Sequence, residues 1–91
     1  DKNVEFLEKK IANYVDRKYT IAVNSATDAL YYSLLCYDIG YGDEVLVSDF
    51  SWISSASCIE MAGATPIFCD IDLDSYHISF EEIQKKTTKR K

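Results

Sequence analysis

The run Val23-Asn24-Ser25-Ala26-Thr27-Asp28-Ala29-Leu30 constrains the fold more than any other stretch of the chain. An apolar segment rich in β-formers passes through small polar residues straight into a helical pattern. In open α/β sheets such a junction sits at the carboxyl end of a strand, where ligands bind. Backbone N–H groups at a helix start have no partner within the helix and carry partial positive charge, and small side chains let an anion approach them. Ser25 suits the N-cap, and Asp28 three residues on gives a capping-box pattern before the apolar Ala29, Leu30 and Leu34. Taken alone, the turn needs no ligand, because a capped helix start explains it.

The flanking segments set the class. Val4, Leu7, Ile11 and Tyr14 recur at helical spacing around Glu8, Lys9 and Lys10, which predicts an amphipathic helix ending near Val15. Tyr19 to Val23 reads as a first strand, apolar on both faces as in a covered parallel sheet. A second helix is expected from Thr27 to about Tyr37, a turn at Gly40 and Gly42, and a second strand from Glu44 to Ser48. Ser51 to Ala62 reads as a third helix, stopped by Gly63 in a left-handed conformation. Thr65 to Cys69 reads as a third strand, with Pro66 tolerated near its start. Ser79 with Glu82 forms another capping box, opening a last helix from Phe80 to about Lys86. Strands alternating with helices in this way predict an α/β fold built on crossovers, with no internal repeat.

Composition narrows the function classes. Of the 91 residues, 47% are hydrophobic and 27% charged, which is globular, and no apolar run is long enough to span a bilayer. A formal charge of −5 opposes nucleic acid or an anionic membrane as partner. The basic residues Lys85, Lys86, Lys89, Arg90 and Lys91 read as a solvated helix end. Cys36, Cys58 and Cys69 are odd in number and widely spaced, so they predict buried free thiols in a reducing compartment and neither a zinc site nor a disulfide framework. Asp70, Asp72, Asp74 and Glu81 mimic calcium-loop spacing, but Ser75 stands where that loop needs Gly, and a strand precedes it in place of a helix. His77, the one histidine, reads as a solvated loop residue, and no metal site is expected.

Four segments in order carry a resemblance. Tyr19 to Leu30, Ile39-Gly40-Tyr41-Gly42-Asp43-Glu44-Val45-Leu46-Val47, Phe50-Ser51-Trp52-Ile53-Ser54-Ser55-Ala56 and Ala62-Gly63-Ala64-Thr65-Pro66-Ile67-Phe68-Cys69-Asp70-Ile71-Asp72 resemble motifs of the DegT/DnrJ/StrS family of sugar aminotransferases. The resemblance covers roughly residues 4 to 91. It implies the N-terminal portion, residues 1–91, of the large domain of a fold-type I pyridoxal-phosphate transferase, a mostly parallel sheet with flanking helices. It further implies an amino-acid donor such as glutamate, a nucleotide-linked keto-sugar acceptor, a homodimer with active sites between subunits, and a cytoplasmic location. The chain departs from the family pattern at Ala26, where Gly is commoner, and at Tyr41 and Ser48, where Pro is usual.

Pyridoxal phosphate asks a protein for a phosphate anchor, a flat surface against its ring and a lysine to form the Schiff base. By resemblance, Ala26, Thr27 and Asp28 hold the phosphate, and Trp52 stacks on the pyridine. The Schiff-base lysine and the acid facing the pyridine nitrogen fall downstream of Lys91, so no catalytic residue is assigned within the chain. The missing initiating Met and the stop at Lys91 fit a fragment. Two alternatives stay open on the sequence: a sugar dehydratase of the same family, and a non-catalytic phosphate-binding module.

Overall fold

A computed structural model describes residues 1–87. Its helices are α1 (Lys2–Tyr14), α2 (Ala26–Cys36), α3 (Ser54–Met61) and α4 (Phe80–Lys86), and its strands β1 (Glu44–Ser48) and β2 (Thr65–Cys69). The two strands form a parallel pair in the register Glu44 with Thr65 through Ser48 with Cys69, joined by the α3 crossover. Parallel strands need such a crossover because a hairpin cannot return the chain in the same direction.

The core follows from the period-2 pattern of β1. Val45 and Val47 share one face, and there they meet Ala56, Cys58 and Ile59 of α3 and Tyr31 and Leu34 of α2. Ile59 is only 2% exposed. Its burial contributes roughly 1.5–3 kcal/mol and fixes α3 against the strand pair.

Helix ends obey local chemistry. Ser25 and Ser79 accept the N–H groups of Asp28 and Glu82, as their capping patterns predict. Three helices end alike, with a residue at positive φ just past the C-cap: Asp16 (55°), Asp38 (61°) and Gly63 (89°). Each sends the following N–H back five residues, from Arg17 to Ala12, Ile39 to Leu34 and Ala64 to Ile59. Gly63 was legible as a stop. Asp16 and Asp38 were not, because aspartate there is read as turn-forming long before it is read as left-handed. At Gly40–Asp43, the Asp43 N–H returns to the Gly40 carbonyl with Gly42 at φ 92°, the pattern of a type II turn. Tyr41 occupies the position Pro favours, so the departure from Pro gives up rigidity without losing the turn.

The structure corrects five expectations. Tyr19 to Val23 is not a strand, since among the described residues no segment pairs with it, and a strand exists only through its ladder. The Ala22 N–H instead meets the Glu8 carboxylate at 2.7 Å, and Ile21 is left 79% exposed. The sheet described therefore has two strands, not three. Helix α3 starts at Ser54 rather than Ser51: just before it Ser48 Oγ takes the Phe50 N–H in a local turn, and Ser51 Oγ reaches forward to Ser55 Oγ. Lys86 is more than a solvated helix end, since its Nζ donates to the Phe68 carbonyl at 2.7 Å and pairs with Glu82, tying α4 to β2. Lys89, Arg90 and Lys91 lie outside the described residues.

The fifth correction is Cys36, which is exposed, whereas Cys58 and Cys69 are buried. Loss of hydration pushes the Cys58 thiol up, opposed by the N–H groups of Cys58 and Ile59. A thiol whose folded value is raised stabilises the fold below its unfolded value, and that contribution is lost as pH climbs toward the folded value. One prompt equivalent of thiol reagent, at Cys36, is therefore expected at neutral pH, with Cys58 and Cys69 reacting only on unfolding. Peptide mapping after brief alkylation checks this, and prompt labelling of Cys58 would contradict the packing of α3.

Candidate functional site

The site forms where two helix starts meet at the carboxyl end of β1. Helix α2 opens at Ala26 behind the Ser25 cap, in which Ser25 Oγ accepts the Asp28 N–H at 3.1 Å. The Ala29 N–H returns to the Ser25 carbonyl. Among the described residues, the N–H groups of Ala26 and Thr27 have no hydrogen-bond partner. These two donors, with the helix dipole behind them, can serve an anion. The Asp28 N–H is already engaged by the cap.

Ala26 has no positive φ, so its Cβ costs no backbone strain in this turn. Asp28, half-buried in the first turn, does not return its carboxylate to the Ser25 N–H, and only one half of the capping box forms.

Trp52 lies beyond the end of β1, in the loop that leads into α3, and is 79% exposed. Local hydroxyls brace that loop: Ser48 Oγ on the Phe50 N–H, and Ser51 Oγ on Ser55 Oγ at 2.8 Å. Phe50 meets Tyr76 with ring centroids 6.0 Å apart, so the turn after β2 reaches the same edge. A hydrogen bond joins the two halves of the site. Thr27 Oγ1 and Ser54 Oγ stand 2.8 Å apart and part-buried, linking the start of α2 to the start of α3 just beyond Trp52. The structure thus brings Ala26, Thr27 and Asp28, which follow the unpaired residues 19–23, together with the Trp52 loop that follows β1.

Ser54 escaped the sequence reading, as did the bracing roles of Ser48, Ser51 and Ser55. Their one available signal was the density of serines around Trp52, which also suits an ordinary solvated loop. In the acidic turn, Asp72 Oδ1 accepts the Asp74 and Ser75 N–H groups and Asp70 Oδ1 accepts that of Ile71. Among the described residues no group of three or more His, Cys, Asp or Glu side chains is placed to hold a metal ion.

Comparison with known proteins bears on what such a site belongs to. The family model for the DegT/DnrJ/EryC1/StrS aminotransferase family matches residues 1–91. The chain belongs to that family. It is similar to the dTDP-3-amino-3,6-dideoxy-alpha-D-galactopyranose transaminase of Aneurinibacillus thermoaerophilus, with 40% identity over 87 residues, 96% of this chain and 24% of that protein. The structure superposes on an aminotransferase from Psychrobacter cryohalolentis with a TM-score of 0.94 and 37% identity, over 99% of this chain and 23% of the other. It also superposes on the sugar aminotransferase Spr1654 from Streptococcus pneumoniae in its PLP form, with a TM-score of 0.92 and 32% identity, over 96% and 22% of the two chains. The chain thus spans about a quarter of the length of these relatives. The fold class is that of this aminotransferase family, an α/β fold of parallel strands flanked by helices. No helix among the described residues is long and apolar enough to cross a membrane.

Proposed function

We propose that residues 1–91 form the N-terminal portion of the large domain of a pyridoxal-phosphate-dependent aminotransferase. In this reading the enzyme moves an amino group from an amino acid such as glutamate to a nucleotide-linked keto-sugar. The observation that carries it is the Thr27–Ser54 hydroxyl pair, which joins an anion-ready helix start to the loop bearing an exposed indole. The relatives support it: one is named a transaminase of a dTDP-linked amino sugar, and another is a sugar aminotransferase in its PLP form.

The residues present fit the cofactor. The Ala26 and Thr27 N–H groups and the Thr27 hydroxyl would hold its phosphate, with the Asp28 backbone shaping the turn through Ser25. Trp52 would lie against the ring, fixing its tilt and keeping water from that face while leaving the ring edges free for polar partners. When bound, the cofactor supplies an electron sink that lets an amino group leave one carbon and join another. The lysine and the acid that such chemistry needs would come from other parts of the protein. A homodimer in the cytoplasm completes the reading, and the exposed Phe6, Leu7 and Tyr14 of α1 leave apolar surface for a partner copy to cover.

The test uses a full-length protein carrying this segment, incubated with pyridoxal phosphate, glutamate and a panel of nucleotide-linked keto-sugars. Formation of 2-oxoglutarate together with an aminated sugar, read by mass spectrometry, is the expected result. Loss of water from the sugar without amino transfer would replace the aminotransferase with a dehydratase. Failure to bind the cofactor would overturn the reading altogether.

A further inference from the structure

We infer that Ser54 is a positioning residue, which holds the Thr27 hydroxyl as a donor toward the cofactor phosphate. The inference rests on the proposed function. Thr27 Oγ1 and Ser54 Oγ lie 2.8 Å apart in a part-buried contact between the starts of two different helices. A pair of hydroxyls has two protons, and one of them is spent in the bond between the oxygens. With an anion beyond Thr27, the arrangement that satisfies every group has Ser54 donating to Thr27 and Thr27 donating onward.

Two further observations explain why the Thr27 proton stays available. Within α2, Ser33 donates its hydroxyl to the Ala29 carbonyl four residues back, at 2.7 Å, and past the end of α4 Thr87 does the same to Ile83. Such back-bonding captures a hydroxyl proton inside a helix. Thr27 stands in the first turn of α2, with no helical carbonyl four residues behind it. Its hydroxyl would rotate freely were Ser54 not occupying one of its lone pairs. Ser54 also opens α3, directly after the Trp52 loop, so the same bond ties the phosphate turn to that loop.

Pyridoxamine phosphate is a suitable probe, because it carries the phosphate and ring without linking to lysine. Its affinity for the full-length protein is measured in the unsubstituted form, in T27A, in S54A and in the double variant, along with the phosphorus resonance of the bound probe. S54A is expected to weaken binding by roughly three- to tenfold, the range of one net hydrogen bond, and to move the phosphorus resonance. On the T27A background, S54A should change neither readout. Ser54→Thr, which keeps the hydroxyl, should restore both and guards against a folding defect. Equal weakening by S54A on both backgrounds, or none on either, overturns the positioning role while leaving the proposed function intact. Failure of the unsubstituted protein to bind the probe overturns the proposed function and this role with it.

Discussion

In a full-length protein carrying this segment, Thr27→Ala and Trp52→Ala are together expected to loosen pyridoxal phosphate by about 2–4.5 kcal/mol, counted apart from the apolar area the indole covers, if the two losses add. Thr27 contributes most, because a hydroxyl that donates to a charged phosphate is worth about 1.5–3 kcal/mol, or roughly ten- to a hundred-and-fifty-fold in affinity. Trp52→Ala removes a ring contact worth about 0.5–1.5 kcal/mol beyond the area it covers. The two should differ in kind. Thr27→Ala acts on the phosphate and should weaken inorganic phosphate competition equally, whereas Trp52→Ala should leave phosphate competition unchanged and alter the absorbance of the bound ring. Titration of cofactor by absorbance, with and without phosphate, separates them. Unchanged affinity in both variants would remove the site from this part of the chain.

What the sequence made legible were features governed by near neighbours. Strands β1 and β2 and helix α4 fall where the Gly40–Gly42 turn, the Gly63 stop and the Ser79 cap placed them, because those signals are local. Residues 19–23 show the opposite case. Their composition is that of a buried strand, but burial is a relation to other segments, and a five-residue pattern cannot say which neighbour supplies it. Helix α1 shows the same limit. Its apolar stripe was readable, yet Ala12 is its one buried residue among those described, and Val4, Leu7, Ile11 and Tyr14 remain exposed. At the candidate site, Ser25, Thr27 and Trp52 stood out as a cap, a hydroxyl in a turn and a lone indole. Ser54 did not, because its meaning lies in a contact with a residue 27 positions away.

The 91 residues by themselves, mixed with pyridoxal phosphate and reduced with borohydride, are expected to yield no stoichiometric adduct at any one lysine and to show no transamination. A lysine that captures the cofactor must stand beside the site and be tuned to lose its proton, as desolvation or a neighbouring cation can do. The lysines of the described residues are elsewhere. Lys2, Lys9 and Lys10 lie on α1, Lys18 in the turn after it, and Lys85 and Lys86 on α4, and all six are exposed. Lys86 is further engaged by the Phe68 carbonyl and Glu82, and Lys10 and Lys18 rest near the rings of Phe6 and Tyr19. None belongs to the turn at residues 24–28 or the loop at 48–55. Exposed amines compete on nearly equal terms, so reduction should scatter small fractions of label over many of them. The phosphate turn alone can hold the cofactor only weakly, because a single anion contact lacks the ring enclosure and covalent link that retain it. Intact mass after reduction, followed by peptide mapping, reads the outcome directly. One adduct per chain at one lysine would show that the chain carries its own cofactor lysine, and the division of roles proposed here, with anchor and indole in residues 1–91 and lysine in another part of the protein, would be wrong.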